Sequence, residues 1–189
     1  KYLGAAYLVY LGIVALRCGG DEASPASSTG TGPWQAFGKA VLDADRVVAA
    51  LRGAFTHDAG RHALLQLAAD RIRDAGPPYT SVYLYMLHGQ ELVLEAWSGR
   101  ETDHTRIAVG TGVCGTAVAT GKDQNVGDVR AVGNYLACNL DTRSELVVLI
   151  RRGAAILGQI DVDSDLPDPF TPAEEAAVRQ VADALAVLL

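Results

Sequence analysis

The sequence predicts an α+β fold, an antiparallel sheet with helices packed on one face. Three observations lead there. Two hairpin patterns, over 81–97 and 145–163, carry runs of β-branched and aromatic residues around tight turns. Helical apolar spacing lies before the first hairpin and after the second. Strands and helices do not alternate regularly, so a parallel βαβ sheet is not indicated.

Each element has a local reason. Val41, Leu42, Val47, Val48, Leu51 and Phe55 recur at helical spacing. A second helix is expected over Asp58–Asp74, burying Leu64, Leu65, Leu67, Ala68 and Ile72, and Gly76-Pro77-Pro78 stops it. Ser81–Leu87 reads as a strand, His88-Gly89-Gln90 as its turn and Glu91–Trp97 as the return. Arg106–Val109 is a short strand. Gly110-Thr111-Gly112 leads into a short helix from Val113 to about Thr120, closed by Gly121. Asn125-Val126 is a brief strand, and Gly127–Thr142 is a long irregular stretch of the kind that often carries function. Glu145–Ile150 and Ala154–Asp163 form the second hairpin around Arg152-Gly153. The last helix has Thr171 as N-cap, Pro172 at its first position and Glu174 to complete a capping box. Ala177, Val178, Val181, Ala184, Leu185 and Leu188 form its apolar face.

The 189 residues suffice for one domain with a proper core. A net charge of −6 argues against a nucleic-acid or anionic-membrane partner. Three cysteines make no disulfide framework and no CxxC pair, which suits a reducing, cytoplasmic compartment. The sequence begins at Lys1, which fits a fragment or a processed product. Leu3–Leu16 is a charge-free, mostly apolar run, shorter than the roughly 20 residues of a membrane span. It fits an upstream reading frame, a membrane or export remnant, or a helix. Gly19–Gly32 reads as a flexible linker. Residues 1–33 are therefore set apart from a domain over 34–189.

Arg106-Ile107, the run Gly110-Thr111-Gly112-Val113-Cys114-Gly115-Thr116-Ala117-Val118-Ala119, Gln124, Asp128-Val129, Ala137-Cys138, Ser144-Glu145 and Gly158-Gln159-Ile160-Asp161-Val162-Asp163-Ser164 stand in a telling order. Together they resemble the GAF-domain family of free methionine-(R)-sulfoxide reductases, over about Asp43–Leu189. The resemblance implies a single GAF domain with a small-molecule pocket on the sheet face opposite the terminal helices. It implies a thiol-dependent oxidoreductase without a prosthetic cofactor, fed by thioredoxin or another thiol and forming a homodimer. By the resemblance Cys138 is the nucleophile and Cys114 an auxiliary cysteine. Glu145, Asp161 and Asp163 hold the substrate's sulfoxide and ammonium, and Tyr85 lines the pocket. The chain departs from the family pattern at three places. His104 stands where the resolving cysteine is usual, no tryptophan stands near Ser81, and Asn139 follows the nucleophile where an aspartate is typical.

The residues fit that chemistry independently. Sulfoxide reduction needs a thiolate to attack sulfur and an acid to protonate oxygen. The resulting sulfenic acid needs a second thiol. Asp161 and Asp163, two apart on a strand, share a face, where mutual repulsion favours keeping one protonated. Solvated strand-end carboxylates are the competing reading. Cys114 starts a helix and is either the resolving thiol or a small packing residue. His104 has three readings: thiol activator, half of a zinc site with Cys114 or a carboxylate, or surface histidine. No metal is assigned. Tyr135 is a lid over the pocket or a packing residue. Arg106 and Arg143 are anion contacts or surface charges. His57, His62 and His88 face solvent. The competing function is a non-catalytic GAF sensor that binds a metabolite or metal in the same pocket.

Overall fold

The computed structural model describes residues 41–133, 135–136 and 139–189. The apolar segment and linker expected over 1–33, and the domain start near Trp34, lie outside the described residues. So does Cys138.

Helix α1 (Ala44–Thr56) begins where the Asp43 side chain accepts from the Arg46 amide. It buries Val47, Val48 and Leu51. Val41 and Phe55, expected in the core, are each 48% exposed. Val41 precedes the cap and so leaves the periodic face. Phe55 stands in the terminal turn among exposed Arg52, Gly53 and Thr56. Helix α2 (Arg61–Arg73) starts three residues later than its spacing suggests. Asp58 adopts a positive φ of 59° in a turn, and Gly60 caps the helix instead. Leu64, Leu65, Ala68, Ala69 and Ile72 are buried.

Strands β1 (Ser81–His88) and β2 (Glu91–Ser98) form the first hairpin, and β3 (Arg106–Ala108) pairs with β2. Helix α3 (Gly112–Thr120) ends at Gly121, whose left-handed φ of 63° closes the C-terminus. Strand β4 (Gln124–Val126), a 3-10 turn at Val129–Ala131, and strands β5 (Ser144–Arg152) and β6 (Ala155–Ser164) follow. Helix α4 (Pro172–Leu188) carries the expected capping box of Thr171 and Glu174. Among the described residues no helix is long and apolar enough to cross a membrane.

The six strands form one antiparallel sheet in the order β3-β2-β1-β6-β5-β4. Alternation along the central strands divides the interior. Val82, Leu84, Met86, Leu146, Val148, Ile150, Ile160 and Val162 meet α1, α2 and α4 in the main core. Each fully buried leucine or isoleucine there contributes about 1.5–3 kcal/mol. The residues between them, Tyr83, Tyr85, Val147 and Leu149, face the other way. They form a second apolar cluster with Leu92, Ile107, Val113, Cys114 and Ala117 beneath α3. This second face positions the site.

Candidate functional site

Strand period brings three carboxylates to the face beneath α3. Asp161 and Asp163 alternate with the core residues Ile160 and Val162. Glu145 on β5 lies directly opposite Asp163 on β6, and Val147 lies opposite Asp161. On the other flank Ser81 and Tyr83 of β1 oppose Asp163 and Asp161. Glu145, Asp161 and Asp163 are 3%, 0% and 1% exposed. The strand-end reading, with solvated carboxylates, therefore does not apply to them.

Helix α3 lowers Cys114 onto this cluster from above. The thiol lies 3.2 Å from Oδ2 of Asp161 and 3.6 Å from Oε1 of Glu145, and donates its S–H toward them. The Thr142 hydroxyl donates to Asp163 Oδ2 at 3.0 Å. Burial, then the charges of Asp161 and Asp163, pushes the Glu145 carboxyl well above the usual carboxylate range. Burial also pushes Asp161 up to about 7, against the Cys114 hydrogen bond. Asp163 is raised well above its usual value by burial and then by Asp161. Interaction between the carboxyls raises Glu145 and lowers Asp161. The proton thus rests on Glu145, while Asp161 titrates near neutrality.

A narrow cleft over the cluster is lined by Ile107, Thr111, Gly112, Val113, Cys114, Leu136 and Glu145. Leu136 comes from the long loop. Gly112 has a φ of 63°, and a Cβ there would stand 2.9 Å from Leu136 Cβ. Glycine is thus required twice over, for the backbone and for the approach of the loop. Tyr135 is partly buried against the apolar cluster.

Tyr85 is fully buried on this face, and its hydroxyl donates to the His104 carbonyl at 2.8 Å. Tyr83 holds the Arg100 carbonyl in the same way at 3.0 Å. The two tyrosines pin the 99–105 loop to the sheet. The donor atoms of Cys114, Glu145 and Asp161 lie within 4.8 Å of one another, and these three residues could hold a metal ion. His104 is not a member of that group. Arg106 pairs with Glu91, and Arg143 lies 3.9 Å from Asp128, so each has a carboxylate beside it. His57, His62 and His88 are exposed, and His88 meets Glu95 at 3.0 Å.

Three contributors were not singled out by the sequence. Leu136 walls the cleft and Thr142 supports Asp163. Gln159 shares the inner face with Asp161 and is fully buried. Its place two residues before Asp161 was the available signal.

An antiparallel sheet with α1, α2 and α4 packed on one face and a buried polar cluster beneath α3 on the other defines an α+β domain. The chain belongs to the GAF domain family, which matches residues 39–189. It is 37% identical over 97 residues to the free methionine-R-sulfoxide reductase of Escherichia coli (strain K12), covering 51% of this chain and 58% of the relative. The chain spans about half the length of the curated relatives it matches. The structure of type II free methionine-R-sulfoxide reductase from Thermoplasma acidophilum superposes with a TM-score of 0.66 at 37% identity, covering 68% of this chain and 91% of that one. Free methionine-R-sulfoxide reductase from Neisseria meningitidis, in complex with its substrate, superposes with a TM-score of 0.70 at 27% identity, covering 86% and 94%.

Proposed function

We propose that the chain is a thiol-dependent reductase of a small-molecule sulfoxide, of the free methionine-(R)-sulfoxide type. The observation that carries this reading is the trio of buried carboxyls with raised pKa values beneath the Cys114 thiol. Such a cluster keeps a proton available at neutral pH where a sulfoxide oxygen can accept it. The names of the relatives support the same reaction class.

In this reading Cys138 is the nucleophile. Its sulfur attacks the sulfoxide sulfur while the Glu145 carboxyl protonates the oxygen. The hydroxyl passes to the Cys138 sulfur as the substrate's S–O bond breaks, the transient bond between the two sulfurs breaks with it, methionine leaves and Cys138 is a sulfenic acid. A second thiol condenses with it, forming a disulfide and releasing water. An external dithiol of the thioredoxin class then returns both sulfurs to thiols. Cys114 is the in-chain candidate for the second thiol, and His104 stands where a resolving cysteine would be. Asp161 and Asp163 orient the substrate, and Tyr85 shapes the wall. A homodimer and a cytoplasmic setting belong to the same proposal. Leu136, two positions before Cys138, already lines the cleft.

The test is turnover of free methionine-R-sulfoxide with dithiothreitol or thioredoxin as reductant. Wild-type protein should reduce the R epimer and spare the S epimer, and Cys138→Ser should abolish turnover. No turnover with either reductant would sink the reading, and ligand binding retained without turnover would point to a sensor. Cys114→Ser should lose thioredoxin-driven turnover and keep the dithiothreitol-driven reaction if Cys114 resolves.

A further inference from the structure

Gln159 lies on β6 two residues before Asp161, on the inner face. It is fully buried, and neither Nε2 nor Oε1 has a hydrogen-bond partner among the described residues. Its cross-strand neighbours are Tyr85 on β1 and Leu149 on β5. Leu149 is apolar, and the Tyr85 hydroxyl already donates to the His104 carbonyl. Oδ1 of Asp161 and Oδ1 of Asp163 are likewise buried without partners. One strand therefore presents a row of unanswered polar atoms on the site face. Buried polar groups are almost always paired, so such a row marks where a ligand or ordered water supplies the other half.

A primary amide offers a donor and an acceptor side by side. The head of a free α-amino acid offers the complement, a carboxylate beside an ammonium. Gln159 and Asp161 stand two positions apart, about 7 Å along the sheet. That separation suits a short substrate with its head at Gln159 and its sulfoxide at the carboxyls. We propose that the Gln159 side-chain amide binds the α-amino-acid head of the substrate and so selects a free amino acid. This rests on the reductase reading of the same site. The Nε2 group donates to the carboxylate, and Oε1 accepts from the ammonium.

The test compares wild type with Gln159→Met, which keeps the length and removes both polar atoms. The substrates are methionine-R-sulfoxide and its carboxyl-amidated analogue, methioninamide R-sulfoxide. The variant should melt at or above the wild-type temperature without ligand, because an unpaired buried amide is gone. Its KM for the free amino acid should rise about ten- to hundred-fold, with kcat held within about threefold. Gln159→Glu is the second variant if Gln159→Met fails to fold. It places an acceptor where the carboxylate needs a donor, so KM should rise for the free acid and much less for the amidated analogue. A folded variant with wild-type KM for the free acid overturns the role and leaves the amide to an ordered water. A wild-type protein without turnover overturns the reductase reading, and this role falls with it.

Discussion

The Cys114 thiol lies 3.2 Å from the Asp161 carboxylate, and both residues are nearly sealed from solvent. One comes from the first turn of a helix and the other from a central strand, 47 residues apart. Sealing makes the pair sensitive to protons, because a charge there has little water to stabilise it.

Stability should fall as pH rises. Asp161 titrates near 7 in the folded chain against an ordinary value of 3.8. The folded state thus holds more protons than the unfolded state between those values. The associated stability is fully present below about pH 4 and is lost as pH rises through 7. Its size is on the order of 4 kcal/mol at most. Thermal melts from pH 4.5 to 8.5 should show a declining Tm, and Asp161→Asn should flatten the slope and melt higher at pH 8. A Tm that climbs across this range would contradict the burial argument.

Turnover should decline at high pH for the same reason. The acid form of the carboxyl cluster is the proton source, so kcat should fall on the alkaline side as the cluster ionises. Glu145→Gln should lower kcat by about 10²- to 10⁴-fold. It should leave the Tm nearly unchanged at neutral pH, since the buried Glu145 carboxyl already carries its proton there, and raise it at alkaline pH, where the wild-type carboxyl must ionise. A pH–rate profile of both proteins decides the matter, and an unchanged kcat in Glu145→Gln would exclude Glu145 as the acid.

Gly112→Ala should disturb the loop over the cleft. An alanine at a φ of 63° is strained, and its Cβ would stand 2.9 Å from Leu136 Cβ. Backbone strain alone costs about 1–2 kcal/mol, equivalent to a Tm drop on the order of 5 °C. Substrate KM should rise because Leu136 must move. A variant with wild-type Tm and KM would show that the loop does not depend on this approach.

Tyr85→Phe should loosen the 99–105 loop. The change removes the 2.8 Å bond to the His104 carbonyl and costs about 1–2 kcal/mol. Hydrogen exchange of residues 99–105 should accelerate. Tyr83→Phe should act alike through Arg100, and the double variant should lose more than the sum if the two anchors hold one unit.

Much of the fold could be read from residue order. The Thr171 and Glu174 capping box, the two hairpins and the Gly121 helix end are local signals, and each appears where its chemistry places it. Three expectations gave way to helix-end and turn geometry, among them Val41, which precedes the α1 cap and is exposed. Phe55 has helical spacing but falls in an exposed terminal turn. The start of α2 was masked by a turn at Asp58 that no periodicity announces.

The site divides along the same line. Strand alternation by itself puts Asp161 and Asp163 on one face, since a period of two needs no partner. That Glu145 lies opposite Asp163 depends on the register of the β5–β6 hairpin. That Cys114 reaches Asp161 depends on α3 crossing over the sheet. Gln159 is the clearest case. Its identity and face follow from strand period, but its lack of a partner among the described residues is a property of everything packed around it. The elements, their caps and the residue types of a thiol–carboxyl chemistry follow from local backbone preferences and side-chain period, and so are legible in residue order alone. Desolvation and pairing arise from neighbours distant in the chain, so the burial of the carboxyls, their sharing of protons and the row of atoms unanswered among the described residues belong to the tertiary fold.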